Sequence, residues 1–139
     1  MDLIGFMFFI VLAFLVFFYR KKINKRHLRL SIISIIVSVP AYVAILFTLK
    51  KIDFTPNKKL VIGIYVSFVI ILMFIIILFV VKVIWDFLIQ NQVKIGNKEK
   101  PFIKKIIKRK TLIITIFHML FFLGVCLGLF GMWFNSNTL

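Results

Sequence analysis

Apolar residues run along this chain in four long blocks, at 3–19, 30–49, 60–81 and 111–134, and none of them contains Asp, Glu, Lys or Arg. A helix that packs in a water-soluble protein keeps one polar face. These blocks are apolar all round. Membrane-spanning strands would alternate polar and apolar positions over ~10 residues, and the blocks show no such alternation. A helix crosses a bilayer with ~20 apolar residues at 1.5 Å each. The pattern therefore predicts an all-α polytopic membrane protein, one membrane domain spanning 1–139 with four transmembrane helices. The third helix is expected to continue to about residue 90, because KVIWDFLIQNQ retains good helix formers.

Composition agrees. The chain is 63% hydrophobic, against ~45–50% in ordinary soluble domains, and its mean hydropathy is +1.11. Charge adds direction. Lys and Arg number 19 against 4 Asp and Glu. On a soluble protein that balance would suggest nucleic acid. Here the cations lie between apolar blocks, so an anionic lipid leaflet is the expected partner and nucleic acid is not. Residues 20–29 hold six basic residues and no acid; 82–110 hold nine with Asp86 and Glu99; 50–59 hold four with Asp53. Basic loops stay in the cytoplasm. The N-terminus, the second loop and the C-terminus are then extracytoplasmic, and the location is the plasma membrane. The first block begins Met1-Asp2 and ends Tyr19-Arg20, unlike a cleaved signal peptide, so it is expected to be retained as a helix. Tyr19, Trp85 and Trp133 fall at expected membrane boundaries, where amphipathic rings are favoured.

The stretch PFIKKIIKRK, 101–110, puts Phe102, Ile103, Ile106 and Ile107 on one helical face and Lys104, Lys105, Lys108 and Arg109 on the other. Pro101 suits a first helical position, and a turn is expected at Gly96-Asn97. This reads as a short interfacial amphipathic helix. Lipid-headgroup contact is assigned to Arg20, Lys21, Lys22, Lys104, Lys105, Lys108 and Arg109. Lys82 and Asp86 are four residues apart and share a helix face.

In lipid, close backbone approach and polar contacts join helices. Gly124, Gly128 and Gly131 form one expected packing face, opposite Thr111, Thr115, His118 and Cys126. Ser31, Ser34 and Ser38 form another, and Gly63 and Ser67 offer small surfaces on the third helix. Pro40 removes a backbone donor in the second helix and predicts a kink. His118 is the one imidazole deep in a block, about 10 Å from the basic end of its helix. Ser34 and Ser38 bracket that depth, so one of them is its expected hydrogen-bond partner.

Chemistry is sparse. Seven His, Cys, Asp and Glu residues are scattered along the chain, short of the grouped ligands a metal site needs. No catalytic constellation, phosphate loop or cofactor motif is evident. A lone Cys126 cannot form an intramolecular disulfide. No catalytic, metal or cofactor-binding residue is therefore assigned. The leading expectation is a non-enzymatic membrane anchor or assembly module, with a homo-oligomer or a partner membrane protein as company. A small channel or transporter subunit, using the serine stripe and His118 as a polar path, is the alternative.

The layout also resembles the N-terminal membrane region of transmembrane metallophosphoesterases. The matching features are an uncharged first span, a second span containing Pro40, and a third that runs into Trp85-Asp86-Phe87-Leu88. Lys108-Arg109-Lys110 then precedes a glycine-bearing fourth span. The resemblance implies a soluble two-metal hydrolase domain following the membrane part. The motifs of that domain (Asp-x-His, Gly-Asp-x-x-Asp, Gly-Asn-His) are absent from these residues, so no catalytic role carries over.

Overall fold

The computed structural model describes residues 2–51 and 58–134. Four helices follow in order: α1 Asp2–Phe18, α2 Lys25–Lys51, α3 Lys58–Lys94 and α4 Pro101–Phe134, with one-turn 3-10 segments at Arg20–Lys22 and Asn97–Glu99. The described residues contain no strand. Asp53 and Pro56 of the second loop lie outside them.

The helix ends follow local chemistry. Asn24 caps α2: its Oδ1 accepts the backbone N–H of Arg26 at 3.0 Å and of His27 at 3.3 Å, satisfying donors that the first turn leaves open. Gly96 adopts a left-handed conformation at φ 81°. That geometry stops α3, as glycine commonly does one step past a helix. The expected turn at Gly96-Asn97 is therefore present, tied by Asn97 Nδ2 donating to Gln92 Oε1 at 2.8 Å. Pro101 opens α4 as its first residue.

Three helices, α2, α3 and α4, are long and apolar enough to cross a membrane; α1, with 17 residues, is shorter. With 37 and 34 residues, α3 and α4 extend ~55 and ~51 Å. Both exceed a hydrocarbon layer of ~30 Å. The expectation of a separate interfacial helix at 101–110 is corrected here. Those residues are the opening turns of α4 itself. Ile103 and Ile106 line a pocket with Trp85, Leu88 and Ile89 of α3. Part of their apolar face turns toward α3 while Phe102 stays exposed, and the helix runs on without a break. Pro40 lies inside α2, which runs from Lys25 to Lys51.

Helices α1, α3 and α4 share one core, and α2 packs on α3. The core gathers Phe9 and Ala13 of α1, Ile71, Phe74 and Leu78 of α3, and Val125, Leu129 and Trp133 of α4. Aromatic rings run along the α1–α4 seam. Phe17 lies 5.1 Å from Phe122 and Phe6 5.1 Å from Phe134, centroid to centroid. On the other side, Tyr42 of α2 stacks on Tyr65 of α3 at 4.2 Å and 14°. Such pairs contribute ~0.5–1.5 kcal/mol beyond their buried area.

Trp133, one residue from the end of α4, turns its ring into the bundle. It is 2% exposed, and its indole N–H donates to Ser67 Oγ, itself fully buried, at 2.9 Å. The ring fits because Gly5 and Gly63 present no side chain to it. A Cβ on Gly5 would fall within 2.8 Å of three ring atoms. By contrast, a Cβ at Gly124, Gly128 or Gly131 would meet nothing within 4 Å. Among the described residues the close approach of a side chain to glycine backbone uses Gly5 and Gly63. Gly5→Ala is expected to lower thermal stability in detergent by ~1–3 kcal/mol, the usual penalty of overpacking against a rigid ring. Gly128→Ala should leave the melting temperature within error. Equal effects of the two substitutions would contradict this packing.

Candidate functional site

Polar groups from three elements meet at the end of the bundle where the 20–29 and 82–110 segments lie. A cleft of about 360 Å³ is lined by Arg20, Lys21, Lys82, Asp86, Lys110, Thr111, Ile114, Thr115 and His118. The sequence explains the convergence. Arg20 and Lys21 follow directly on the apolar α1. Lys82 and Asp86 are one turn apart on α3. Lys110, Thr111, Ile114, Thr115 and His118 repeat at three- and four-residue intervals along one face of α4.

Each side chain is placed by a specific contact. Arg20 Nη1 donates to the Phe17 carbonyl at 3.0 Å, and its guanidinium lies 4.3 Å from the centre of the Phe17 ring. The α1 C-terminus leaves such carbonyls open, and a cation there also complements the helix dipole. Lys110 forms an ion pair with Asp86 across α3 and α4. Both side chains are about a third exposed (37% and 36%). Water therefore screens the pair, and its contribution is at most ~1 kcal/mol. Lys82 was expected to share a face with Asp86, and it does line the same cleft; the carboxylate's ion-pair partner is Lys110.

His118 forms the floor. It is 4% exposed, and its Nε2–H donates to the Leu78 carbonyl of α3 at 3.0 Å. The expected bond to Ser34 or Ser38 is not made. Ser38 instead donates to its own helix, to the Ile35 carbonyl at 2.8 Å. The reason is geometric: α2 packs on α3, whereas His118 faces the α3–α4 seam. Ser31 is the one serine of the stripe that is fully buried. The described hydrogen bonds therefore do not join Ser38 to His118.

Of the cations assigned to headgroup contact, Arg20 and Lys21 line the cleft. Lys22 turns to the Tyr19 ring, 5.3 Å from its centre. Lys104, Lys105, Lys108 and Arg109 are exposed along α4, outside the cleft. Lys82, Lys110, Thr111 and Thr115 were not linked to Arg20 by sequence reasoning. Their shared signal is position: Arg20, Lys82 and Lys110 each stand within one residue of the end of an apolar block. The cleft holds four cations against one carboxylate. Such a concave basic surface concentrates anions. Among the described residues no group of three or more potential metal ligands occurs.

No known protein family, curated protein or solved structure matches this chain.

His118→Ala is expected to lower stability in detergent by ~0.5–2 kcal/mol, the range for a polar contact between membrane helices. Ser38→Ala should change it little, and a double mutant should show additive effects. Coupling between His118 and Ser38 in that thermal-unfolding cycle would restore the contact that the structure lacks.

Proposed function

We propose that the protein is a non-enzymatic membrane module, an anchor or assembly unit, that crosses the bilayer four times. Its N- and C-termini face outward and its basic end faces the cytoplasm. One observation carries this reading. Large apolar side chains stay exposed around the outer faces of the bundle, while every cation lies outside the four apolar blocks. On α2, Ile36, Val37, Phe47 and their neighbours are exposed; on α1, Ile4, Phe8 and Phe14; on α4, Leu120, Leu123 and Leu127. Water would penalise that surface. Hydrocarbon meets it at no cost, so lipid is its natural cover.

Helix α1 belongs in the membrane by the same logic. It packs along α4 and α3, and its 17 residues reach ~25 Å, enough with modest local thinning of the bilayer. Six basic residues at 20–29 and nine at 82–110 then fall on one side, as the charge asymmetry rule requires. The weaker cation content of 50–59 goes to the other side. Anionic leaflet lipids at the basic end complete the anchor.

Reporter fusions at Asn24, Asn97 and the C-terminus test the arrangement. The first two should report cytoplasmic and the third extracytoplasmic. A cytoplasmic C-terminus together with a cytoplasmic Asn97 would remove the fourth crossing. Folded, monodisperse protein recovered without detergent or lipid would remove the membrane reading altogether.

A further inference from the structure

We infer that the cleft between the α1 end, α3 and α4 is a binding site for a phosphate monoester, held by Arg20 and Lys82 with the Thr111 and Thr115 hydroxyls. Four features point to this ligand chemistry. First, the cations come from three separate elements and converge on one concavity of about 360 Å³. That volume lies within the range of ordinary small-molecule sites, ~300–1,000 Å³, and holds a phosphate with part of its carrier.

Second, the charge is not internally balanced. Asp86 is committed to Lys110. Arg20, Lys21 and Lys82 have no carboxylate partner among the described residues. Mutually repelling cations in one cleft need an anion, and a dianionic oxygen-rich group matches them better than a monoanion. Third, neither Thr111 nor Thr115 hydroxyl has a hydrogen-bond partner among the described residues, although helical threonines commonly bond back to their own helix. Both line the cleft, where they would donate to phosphate oxygens. Fourth, Arg20 is already oriented. Its Nη1 is fixed on the Phe17 carbonyl and its plane lies near the Phe17 ring, which leaves the remaining guanidinium donors for a planar fork of two oxygens.

Position narrows the carrier. Arg20, Lys82 and Lys110 stand where three apolar blocks end, at the level where a leaflet carries its phosphates. Ile114 adds an apolar wall. A lipid phosphomonoester and a small soluble phosphomonoester share the recognised group. The lipid source uses the bilayer placement proposed above, whereas the phosphate contacts do not. The exposed Lys104, Lys105, Lys108 and Arg109 offer more charge but no concavity, so they serve as the control surface.

The full chain, purified in a mild nonionic detergent, is titrated with phosphatidate and, separately, with glycerol 3-phosphate. Phosphatidylglycerol, a phosphodiester, is the comparison. Thermal stabilisation and native mass spectrometry are the readouts. The expected result is one retained phosphomonoester per chain, bound in preference to the diester. Arg20→Ala or Lys82→Ala should weaken it at least about tenfold, the equivalent of one charge-assisted hydrogen bond. Thr115→Val, which preserves shape, should weaken it less, and Lys104→Ala/Lys105→Ala not at all. Binding of phosphatidate alone supports the lipid source; competition by glycerol 3-phosphate supports the soluble one. Equal loss with Lys104→Ala/Lys105→Ala would reduce the cleft to diffuse electrostatics and overturn the proposal. So would absence of both ligands from a chain that unfolds cooperatively. Neither failure touches the membrane arrangement, which the fusion reporters read independently.

Discussion

Three helices of this protein are joined at one end by a single side chain. Trp133 lies on the bare backbone of Gly5 and Gly63 and donates its one polar hydrogen to Ser67. In lipid this matters more than it would in water, because apolar surface gains nothing by leaving hydrocarbon for protein. Fit and hydrogen bonding must supply the association. The Trp133 contact provides both: ring-to-backbone approach on α1 and α3, and a buried indole whose N–H is satisfied by Ser67. The aromatic seam between α1 and α4 continues the same logic down the bundle. Phe9, Phe14 and Phe17 meet Trp133 and Phe122 in turn.

The opposite end works by a different force. Cations cannot follow their helices into oil, so they accumulate where the apolar blocks stop. Because α1, α3 and α4 share a core, those stopping points are brought side by side. The basic cleft is therefore a by-product of packing as much as of charge. The Asp86–Lys110 pair and the His118–Leu78 bond fasten α3 to α4 directly beneath it. The long apolar helices, the Trp133 contact and the cleft thus form one mechanical arrangement.

Much of this was legible in the sequence. Uncharged blocks of this length have one stable backbone solution in lipid, so helix positions followed from composition. Gly96 and Pro101 marked a stop and a start through conformational preferences of their own. Packing was less legible. Gly124-x-x-x-Gly128 carries a known pattern, yet a Cβ there would meet nothing among the described residues, while an isolated Gly5 near the terminus receives the indole. Nothing local distinguishes the two, since the difference lies in which helix arrives. His118 was identified as an inward polar group, but its partner is a backbone carbonyl, which every residue possesses and no pattern reveals. The cleft escaped notice for a related reason. Its cations are 62 and 28 residues apart along the chain (Arg20 to Lys82, Lys82 to Lys110), and only the shared core makes them neighbours.

The uneven attachment of α2 bears on how the chain is made. Helices α1 and α2 emerge first from the ribosome, but in the finished bundle α1 lies along α4 and α3, and α2 lies along α3. Neither is the other's main support. Each therefore lacks its packing partner until α3 is synthesised, and α1 waits longer still for the tryptophan at the far end of α4. In the orientation proposed above, the cations between them would hold that orientation during the interval, before any tertiary contact exists to do so.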